Sequence, residues 1–276
     1  MYDFHFGDTD FVRENEIDFL IFIKHMLPRW CNSIPDSEFI AIHRLLEKLQ
    51  NHSNDQILVE TGAGASTIVL LNHAMKYNKT LYSWDINATK CAYLRGVIND
   101  TLSRHYDVNL WNYWKFIPYN SLSADLGIPI IKEMEKKVSF CFLDSEHTLD
   151  VLLGELELLT PNCCDETYIT IDDANYTYRH KNVSYINMQR KKINLPPIND
   201  TAENRCQEFY KEVQQFLQKR WSSVLHIEDS YKLEHDGDVY WKYYESDRKV
   251  MGLHGMEKMN QRSHRFDAWH VKERKA

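Results

Sequence analysis

A strand, a glycine turn and a helix are predicted in succession for residues 56–67, and this segment constrains the chain more than any other. Its sequence is Gln-Ile-Leu-Val-Glu-Thr-Gly-Ala-Gly-Ala-Ser-Thr: the apolar start is typical of a short strand, Gly62 and Gly64 interrupt it, and helical spacing begins at Ser66. Because glycine has no Cβ and tolerates positive φ, the backbone of such a turn can come close to a ligand, which the first amides of the helix also face. Two glycines of the dinucleotide-binding fingerprint are present, but Thr67 stands at the third position. By itself, the segment fits an ordinary tight turn equally well.

An acidic residue strengthens the ligand-binding interpretation. Residues 80–84, Thr-Leu-Tyr-Ser-Trp, predict a second strand that ends at Asp85. A carboxylate at the tip of the second strand is the usual partner of ribose hydroxyls. The turn and Asp85 therefore predict an adenosine site, although Asp85 also fits a charge at a helix start beside Asn87.

Composition limits the class of partner. The chain has 276 residues, a formal net charge of -7 and a sequence pI near 6.0, whereas general nucleic-acid binders usually have a basic balance. We expect a small-molecule ligand and no nucleic acid, and leave a homo-oligomer open. The acidic N-terminus lacks the features of a signal peptide, no apolar run is long enough for a membrane span, and the six cysteines form no C-x-x-C pair. These features predict a soluble, cytoplasmic protein with reduced thiols.

Strands and helices alternate from residue 55 onward. Alternation of this kind predicts a parallel sheet with helices on both faces. The predicted strands are 56–60, 80–84, 115–118, 138–143 and 168–172, and the predicted helices are 66–77, 88–103, 128–136 and 148–159. Residues 1–54 precede the sheet and are expected to form a helical cap, which covers an edge or the mouth of the sheet or only completes the core.

The C-terminal part breaks the alternation. A helix is predicted near 201–220, followed by strands at 224–227 and 239–244 that form an antiparallel hairpin. The domain is therefore expected to span 55–245. Residues 246–276 contain 8 Lys and Arg against 4 acidic residues and are expected to form a basic, solvated tail, with a role in oligomer contacts or in holding an anionic partner as the alternative.

Carboxylates follow two further predicted strands. Asp144 ends the run Val-Ser-Phe-Cys-Phe-Leu, and Asp172 and Asp173 end Tyr-Ile-Thr-Ile. Neighbouring parallel strands bring such residues to the same edge of the sheet, where open α/β sheets bind ligands. Converging carboxylates need a positive partner, and a hard cation such as Mg²⁺ meets that need. Taken one by one, each residue also fits a helix N-cap.

These features together resemble a known family. Residues 55–245 resemble the class I S-adenosylmethionine-dependent methyltransferases, whose seventh strand inserts antiparallel beside the sixth. The acidic spacing resembles that of the metal-dependent O-methyltransferases of the macrocin or mycinamicin sugar type and of the catechol type. The most specific match is Leu143-Asp-Ser-Glu-His-Thr148 with Gly154-Glu-Leu-Glu157, which resembles the signature I-D-G-D-H-S-Y…D-L-E. This resemblance implies that Asp144, Asp172 and Asp173 bind Mg²⁺ or another divalent cation.

The same resemblance implies a binding site for S-adenosyl-L-methionine. Asp85 should hold the ribose, and Asn120 and Ser121 should lie beside the adenine. The first turn and the helix start should line the methionine part, with Asp144 close by; the residues concerned are Glu60, Thr61, Gly62, Gly64, Ser66 and Thr67. The sequence departs from the family where Asn120 replaces an acid and where His147 stands at a lysine of the catechol-type enzymes.

The chemistry that this implies is methyl transfer from a sulfonium to a hydroxyl. A base must remove the hydroxyl proton; His147 suits this role by its ordinary pKa, and Asp144 competes with it. The long segment after Asp173 has the features of a binding loop, in which Tyr176, Tyr178 and Arg179 are candidates for sugar contacts or for plain surface cover.

The function predicted from the sequence is a Mg²⁺-assisted O-methyltransferase that acts on a hydroxyl of a sugar or of a polysaccharide or natural-product precursor. A small catechol-like acceptor is the second choice. An NAD-dependent oxidoreductase is less consistent with the sequence, which has no convincing Tyr-x-x-x-Lys motif and a terminal hairpin. A non-catalytic methyltransferase-like binding protein is also less consistent, because the acidic trio is intact.

Overall fold

One mixed sheet organises the chain. The computed structural model describes residues 16–32, 34, 36–49, 55–146, 148–172, 175–177, 184, 187, 188, 190–192, 194–198, 206–208, 210–227 and 266–275. The strands of the main sheet are β1 Gln56–Thr61, β2 Thr80–Trp84, β3 Trp114–Ile117, β4 Lys137–Leu143, β5 Cys163–Asp172, β8 Trp221–Ile227 and β9 Phe266–Arg274. Two short strands, β6 Asn175–Thr177 and β7 Cys206–Glu208, pair antiparallel in a separate sheet.

The strand order of the main sheet is β3-β2-β1-β4-β5-β9-β8. The pairs among β1 to β5 are parallel, and β9 runs antiparallel to both β5 and β8. The last strand in sequence, β9, is therefore inserted antiparallel between β5 and β8, and β8 is the strand that precedes it in the chain. This arrangement confirms the predicted Rossmann-like methyltransferase fold. The carboxyl ends of β1 to β5 and of β8 consequently lie at one edge of the sheet.

Helices cover both faces of the sheet. The helices are α1 Glu16–His25, α2 Asp36–Glu47, α3 Ala65–Lys76, α4 Ala88–Ile98, α5 Leu110–Tyr113, α6 Leu149–Leu159 and α7 Tyr210–Gln218. One face packs against α1 to α5 in a core that includes Phe19, Leu70 and Phe142. The other face packs against α6 and α7 around Leu156 and Trp269. The N-terminal helices thus complete the core of one face.

The prediction that residues 246–276 form a solvated basic tail is wrong for residues 266–274. Residues 266–274 form β9 in the interior of the sheet. Ala268, Trp269 and Val271 are fully buried there, while Lys272 is exposed. The count of basic residues misled the prediction because the charged residues 272–274 gather at the end of this strand, whereas residues 267–269 at its start are all buried. The partner of β8 is this strand, and the predicted strand at 239–244 lies outside the described residues.

Two predicted helices also differ from the structure. Within the predicted helix at 201–220, residues 206–208 are strand β7 and α7 begins at Tyr210. The predicted helix at 128–136 is a 3₁₀ helix over Ile128–Met134 with Pro129 in its first turn, and it ends at Glu135 in a left-handed conformation. No helix in the described ranges has the length and apolarity needed to cross a bilayer.

Candidate active site

The glycine turn holds the end of β1 between its two neighbours. The Gly62 amide donates to the Trp84 carbonyl of β2 at 2.8 Å, and the Asp144 amide donates to the Thr61 carbonyl of β1 at 2.8 Å. Gly62 has φ of +83°, and a Cβ there would lie 1.9 Å from the Asp144 carbonyl oxygen. Only glycine fits this position, which therefore fixes the ends of three strands together.

The N-terminal cap reaches the same turn. A Cβ on Gly64 would lie 3.1 Å from the carbonyl oxygen of Cys31, which follows α1. The backbone of Gly64 is extended, and its amide donates to the Thr67 hydroxyl at 3.0 Å. Gly64 is thus needed because the segment after α1 approaches it closely, and less because of its own backbone conformation. The cap consequently borders the predicted cofactor site.

Glu60 lies beneath the turn, with its side chain fully buried. Its carboxylate accepts hydrogen bonds from Ser66 at 2.9 Å, from Thr67 at 2.7 Å and from Ser83 at 2.5 Å. Burial raises the pKa of Glu60 to about 7, against the effect of these hydroxyl groups. Ser66 and Thr67, which were predicted to bind the cofactor, therefore donate hydrogen bonds to Glu60. These bonds fix the start of α3 against β1 and β2.

A second buried carboxylate, Glu155 of α6, fixes the other side of the turn. It accepts from the Thr61 hydroxyl at 3.2 Å and from the Ser121 hydroxyl at 2.5 Å. Ser121 itself is buried, and Asn120 accepts the Leu122 amide at 3.0 Å in a tight turn. The predicted adenine-side loop is thus held to β1 through α6. In the sequence, Glu155 stood out only as part of the motif Gly154-Glu-Leu-Glu157. That motif did not indicate that Thr61 and Ser121 would be its partners.

Asp85 lies at the tip of β2 with its carboxylate already engaged. One oxygen accepts the Asn87 amide at 2.7 Å, and the other accepts the Lys90 ammonium at 2.8 Å. The side chain is only 6% exposed and that of Lys90 is 23% exposed. Sequence reasoning missed Lys90. A signal was present, because a cation in the first turn of a helix opposes the helix dipole and needs a nearby acid.

Asp85, Asp144 and Asp172 follow strand positions on the same face of the sheet. Asp85 comes four residues after Leu81, Asp144 two after Phe142 and Asp172 four after Tyr168. These three apolar residues all pack in the core beneath the N-terminal helices, and side chains alternate along a strand. Leu143 pairs with Ile171, so the next residues of the two strands are neighbours. Asp172 is buried and Asp144 half-buried. The predicted ligands Asp144 and Asp172 are therefore brought together, whereas Asp173 and the candidate base His147 lie outside the described residues.

Three groups that could ligate a metal come close together at another place in the described part of the chain. They are Glu16, His43 and Glu47, and they lie at the last residue of α3, Lys76, whereas the glycine turn lies at the other end of that helix. The Lys76 ammonium lies 3.1 Å from Glu16 and 3.3 Å from Glu47 and supplies the positive charge there. This cluster is consequently an ion-pair network between helices.

Arg190 clamps the loop that follows β4. Its guanidinium is 1% exposed, donates to Glu146, and lies 2.5 Å from Asp150 and 3.2 Å from the Thr148 hydroxyl. Its Nε also donates to the Pro196 carbonyl at 2.5 Å. The two residues that flank position 147 are thus held by one buried cation. This clamp was not predicted, since residue 190 is distant in sequence and has no motif around it.

The predicted sugar contacts are only partly described. Tyr176 lies in β6, where its backbone is opposite Gln207. The side chain of Tyr176, and all of Tyr178 and Arg179, lie outside the described residues. Their role remains a prediction.

Comparison with known proteins gives structural neighbours only: no family model matches the chain, and no curated protein matches it significantly. An apo TDP-rhamnose 3'-O-methyltransferase of calicheamicin biosynthesis, CalS11, is similar over 59% of this chain and 69% of its own, at 12% identity and a TM-score of 0.41. Phosphoethanolamine N-methyltransferase 2 of Haemonchus contortus, in complex with S-adenosyl-L-methionine, is similar over 99% of this chain and 61% of its own, at 10% identity and a TM-score of 0.45. Magnesium protoporphyrin IX methyltransferase of Synechocystis PCC 6803, with bound SAH, is similar over 96% of this chain and 97% of its own, at 9% identity and a TM-score of 0.46. Similarity at this level carries no argument about activity, and the fold is assigned from the strand order and register.

Proposed function

We propose that this chain is an S-adenosylmethionine-dependent methyltransferase. The observation that carries the proposal is the position of Asp85, a nearly buried carboxylate at the tip of β2, on the same edge as the Gly62 turn at the end of β1. In a sheet with an inserted antiparallel β9, this is the crevice in which a nucleoside ligand is expected. Asp85 would accept the ribose hydroxyls, and the backbone of the turn would face the methionine part.

The proposed acceptor is a hydroxyl of a sugar or of a polysaccharide or natural-product precursor, with a catechol-like hydroxyl as the second candidate. The support is the pair Asp144 and Asp172 on adjacent strand ends, with Asp173 next in sequence. Two carboxylates on one face of the sheet fit the oxygen donors that Mg²⁺ prefers. A cation held by these residues would lower the pKa of the acceptor hydroxyl.

The proposed reaction is a direct displacement. The acceptor oxygen forms a bond to the methyl carbon while the carbon–sulfur bond breaks, which leaves S-adenosylhomocysteine. The hydroxyl proton passes to a base, for which His147 and Asp144 are the candidates. Orientation of the acceptor supplies much of the acceleration, and the Arg190 clamp would hold the loop that carries both candidates.

The proposal is tested by following S-adenosylhomocysteine formation with a panel of nucleotide sugars, free sugars and catechols. We expect turnover with a sugar hydroxyl, its loss with EDTA, and a lower rate in Asp172→Asn. The matched control is Asp165→Asn, which removes an exposed carboxylate of β5 near the other end of the strand. Turnover that is unaffected by EDTA would refute the metal, and turnover of only an amine would refute the hydroxyl acceptor.

Calorimetry distinguishes the other classes. Binding of NAD⁺ without binding of S-adenosylhomocysteine would favour the oxidoreductase and refute the methyltransferase. Tight binding of S-adenosylhomocysteine with no turnover across the panel would favour a binding protein.

A further inference from the structure

Lys90 puts a fixed positive charge in the predicted cofactor crevice. It lies in the first turn of α4, and its ammonium donates to Asp85 at 2.8 Å. The other oxygen of Asp85 is held by the Asn87 amide at 2.7 Å. Both carboxylate oxygens therefore have a fixed donor, and the Lys90 ammonium is held beside the position expected for the ribose.

The surroundings keep Lys90 charged. Asp144 lies close enough to attract the ammonium electrostatically, in addition to Asp85. Burial opposes the charge, but the attraction of Asp85 and then of Asp144 outweighs burial and raises the pKa of Lys90 above its ordinary value. The positive charge of Lys90 thus has an electrostatic effect along the carboxyl edge of the sheet, from the end of β2 to the end of β4.

The two forms of the proposed cofactor differ by one charge on the sulfur. S-Adenosylmethionine is a sulfonium cation, whereas S-adenosylhomocysteine is a neutral thioether. With the ribose at Asp85 and the methionine part at the glycine turn, the sulfur lies along this same stretch of the edge. A fixed cation beside it repels the donor and leaves the affinity for the product almost unchanged.

We propose that Lys90 sets the ratio of affinities for S-adenosylmethionine and S-adenosylhomocysteine, by disfavouring the cationic donor relative to the neutral product. This inference rests on the proposed function. It makes Lys90 a residue that determines how strongly the chain is inhibited by its own product.

The test measures both dissociation constants by calorimetry for the wild-type chain and four variants. Lys90→Met removes the charge and the donor, Lys90→Gln removes the charge and keeps a donor to Asp85, and Lys90→Arg keeps the charge. Lys219→Met is the matched control, because it removes an exposed charge just before β8, at the opposite edge of the sheet. Each variant is checked for folding by its near-UV circular dichroism, and Lys90→Gln serves if Lys90→Met does not fold.

We expect Lys90→Met and Lys90→Gln to increase the preference for S-adenosylmethionine by about threefold to thirtyfold, the range given by two unit charges separated by several ångströms near a protein surface. Lys90→Arg and Lys219→Met should leave the ratio unchanged. Equal changes in both affinities, or an unchanged ratio in the neutral variants, would overturn the inference. If the wild-type chain binds neither ligand, the proposed function itself fails.

Discussion

Gly62 and Asp144 are in backbone contact so close that a Cβ on the glycine would lie 1.9 Å from the aspartate carbonyl oxygen. The contact joins the end of β1 to the end of β4, which carries the first predicted metal ligand. Side chains at the carboxyl edge consequently start from a backbone that has little freedom to shift.

Gly62→Ala should be strongly destabilising. The new Cβ meets backbone that cannot move aside, and φ of +83° is unfavourable for alanine. We expect a loss of about 3 kcal/mol or more, or failure to fold. Gly96→Ala is the control: a Cβ there meets nothing within 4 Å, and near the C-terminal end of α4 alanine should stabilise by up to about 1 kcal/mol. Urea unfolding of both variants checks this, and similar effects at the two positions would contradict the packing described.

Glu60→Gln should change how stability depends on pH. The pKa of Glu60 rises from 4.5 to about 7 on folding, so the folded state binds this proton more readily than the unfolded state. Its contribution is therefore greatest below pH 4.5 and declines as the pH rises to about 7, by up to roughly 3 kcal/mol. Glutamine keeps the shape and cannot ionise. The difference in unfolding free energy between wild type and Glu60→Gln should fall through this window, and parallel curves would contradict the assignment.

Trp269→Ala tests whether the C-terminal segment belongs to the core. Trp269 is fully buried, stacks on His226 and donates to Gln214 at 2.8 Å. Its loss should cost about 3–5 kcal/mol. Lys272→Ala, at an exposed position of the same strand, should change stability by less than about 0.5 kcal/mol. A tail that is only loosely attached would give small effects in both variants.

How far the sequence predicted the structure depended on whether the signal was local. Strand β2 was predicted at its observed bounds, because an apolar run followed by Asp85 is a local pattern. Strand β9 was missed because its pairing with β5 and β8 comes from distant parts of the chain and its charges suggested a solvated segment.

The same limit applies to the site. The positions of Asp85, Asp144 and Asp172 at one edge followed from the strand pattern. The hydroxyl groups of Ser66 and Thr67 were expected to bind cofactor, but they bond to Glu60, which only the packing of α3 on β1 reveals.

Arg190→Ala should destabilise the chain more than Arg220→Ala. Arg190 is itself buried and pairs with the half-buried Glu146 and the exposed Asp150, whereas Arg220 is partly exposed and pairs with the exposed Glu157. We expect a loss of about 1–3 kcal/mol for Arg190, since its acidic partners can partly regain water, and less than about 1 kcal/mol for Arg220. Urea unfolding measures both, and equal losses would show that the clamp adds nothing beyond a surface ion pair.

The central claim is that Asp85 and the glycine turn form an adenosyl site, and it is tested most directly by titrating S-adenosylhomocysteine into the wild-type chain, Asp85→Asn and Asp165→Asn. Loss of charged hydrogen bonds to the ribose should weaken binding by about tenfold to a hundredfold in Asp85→Asn, while the exposed Asp165 should have no effect. An affinity that is the same in all three chains, or no binding to the wild type, would contradict the account.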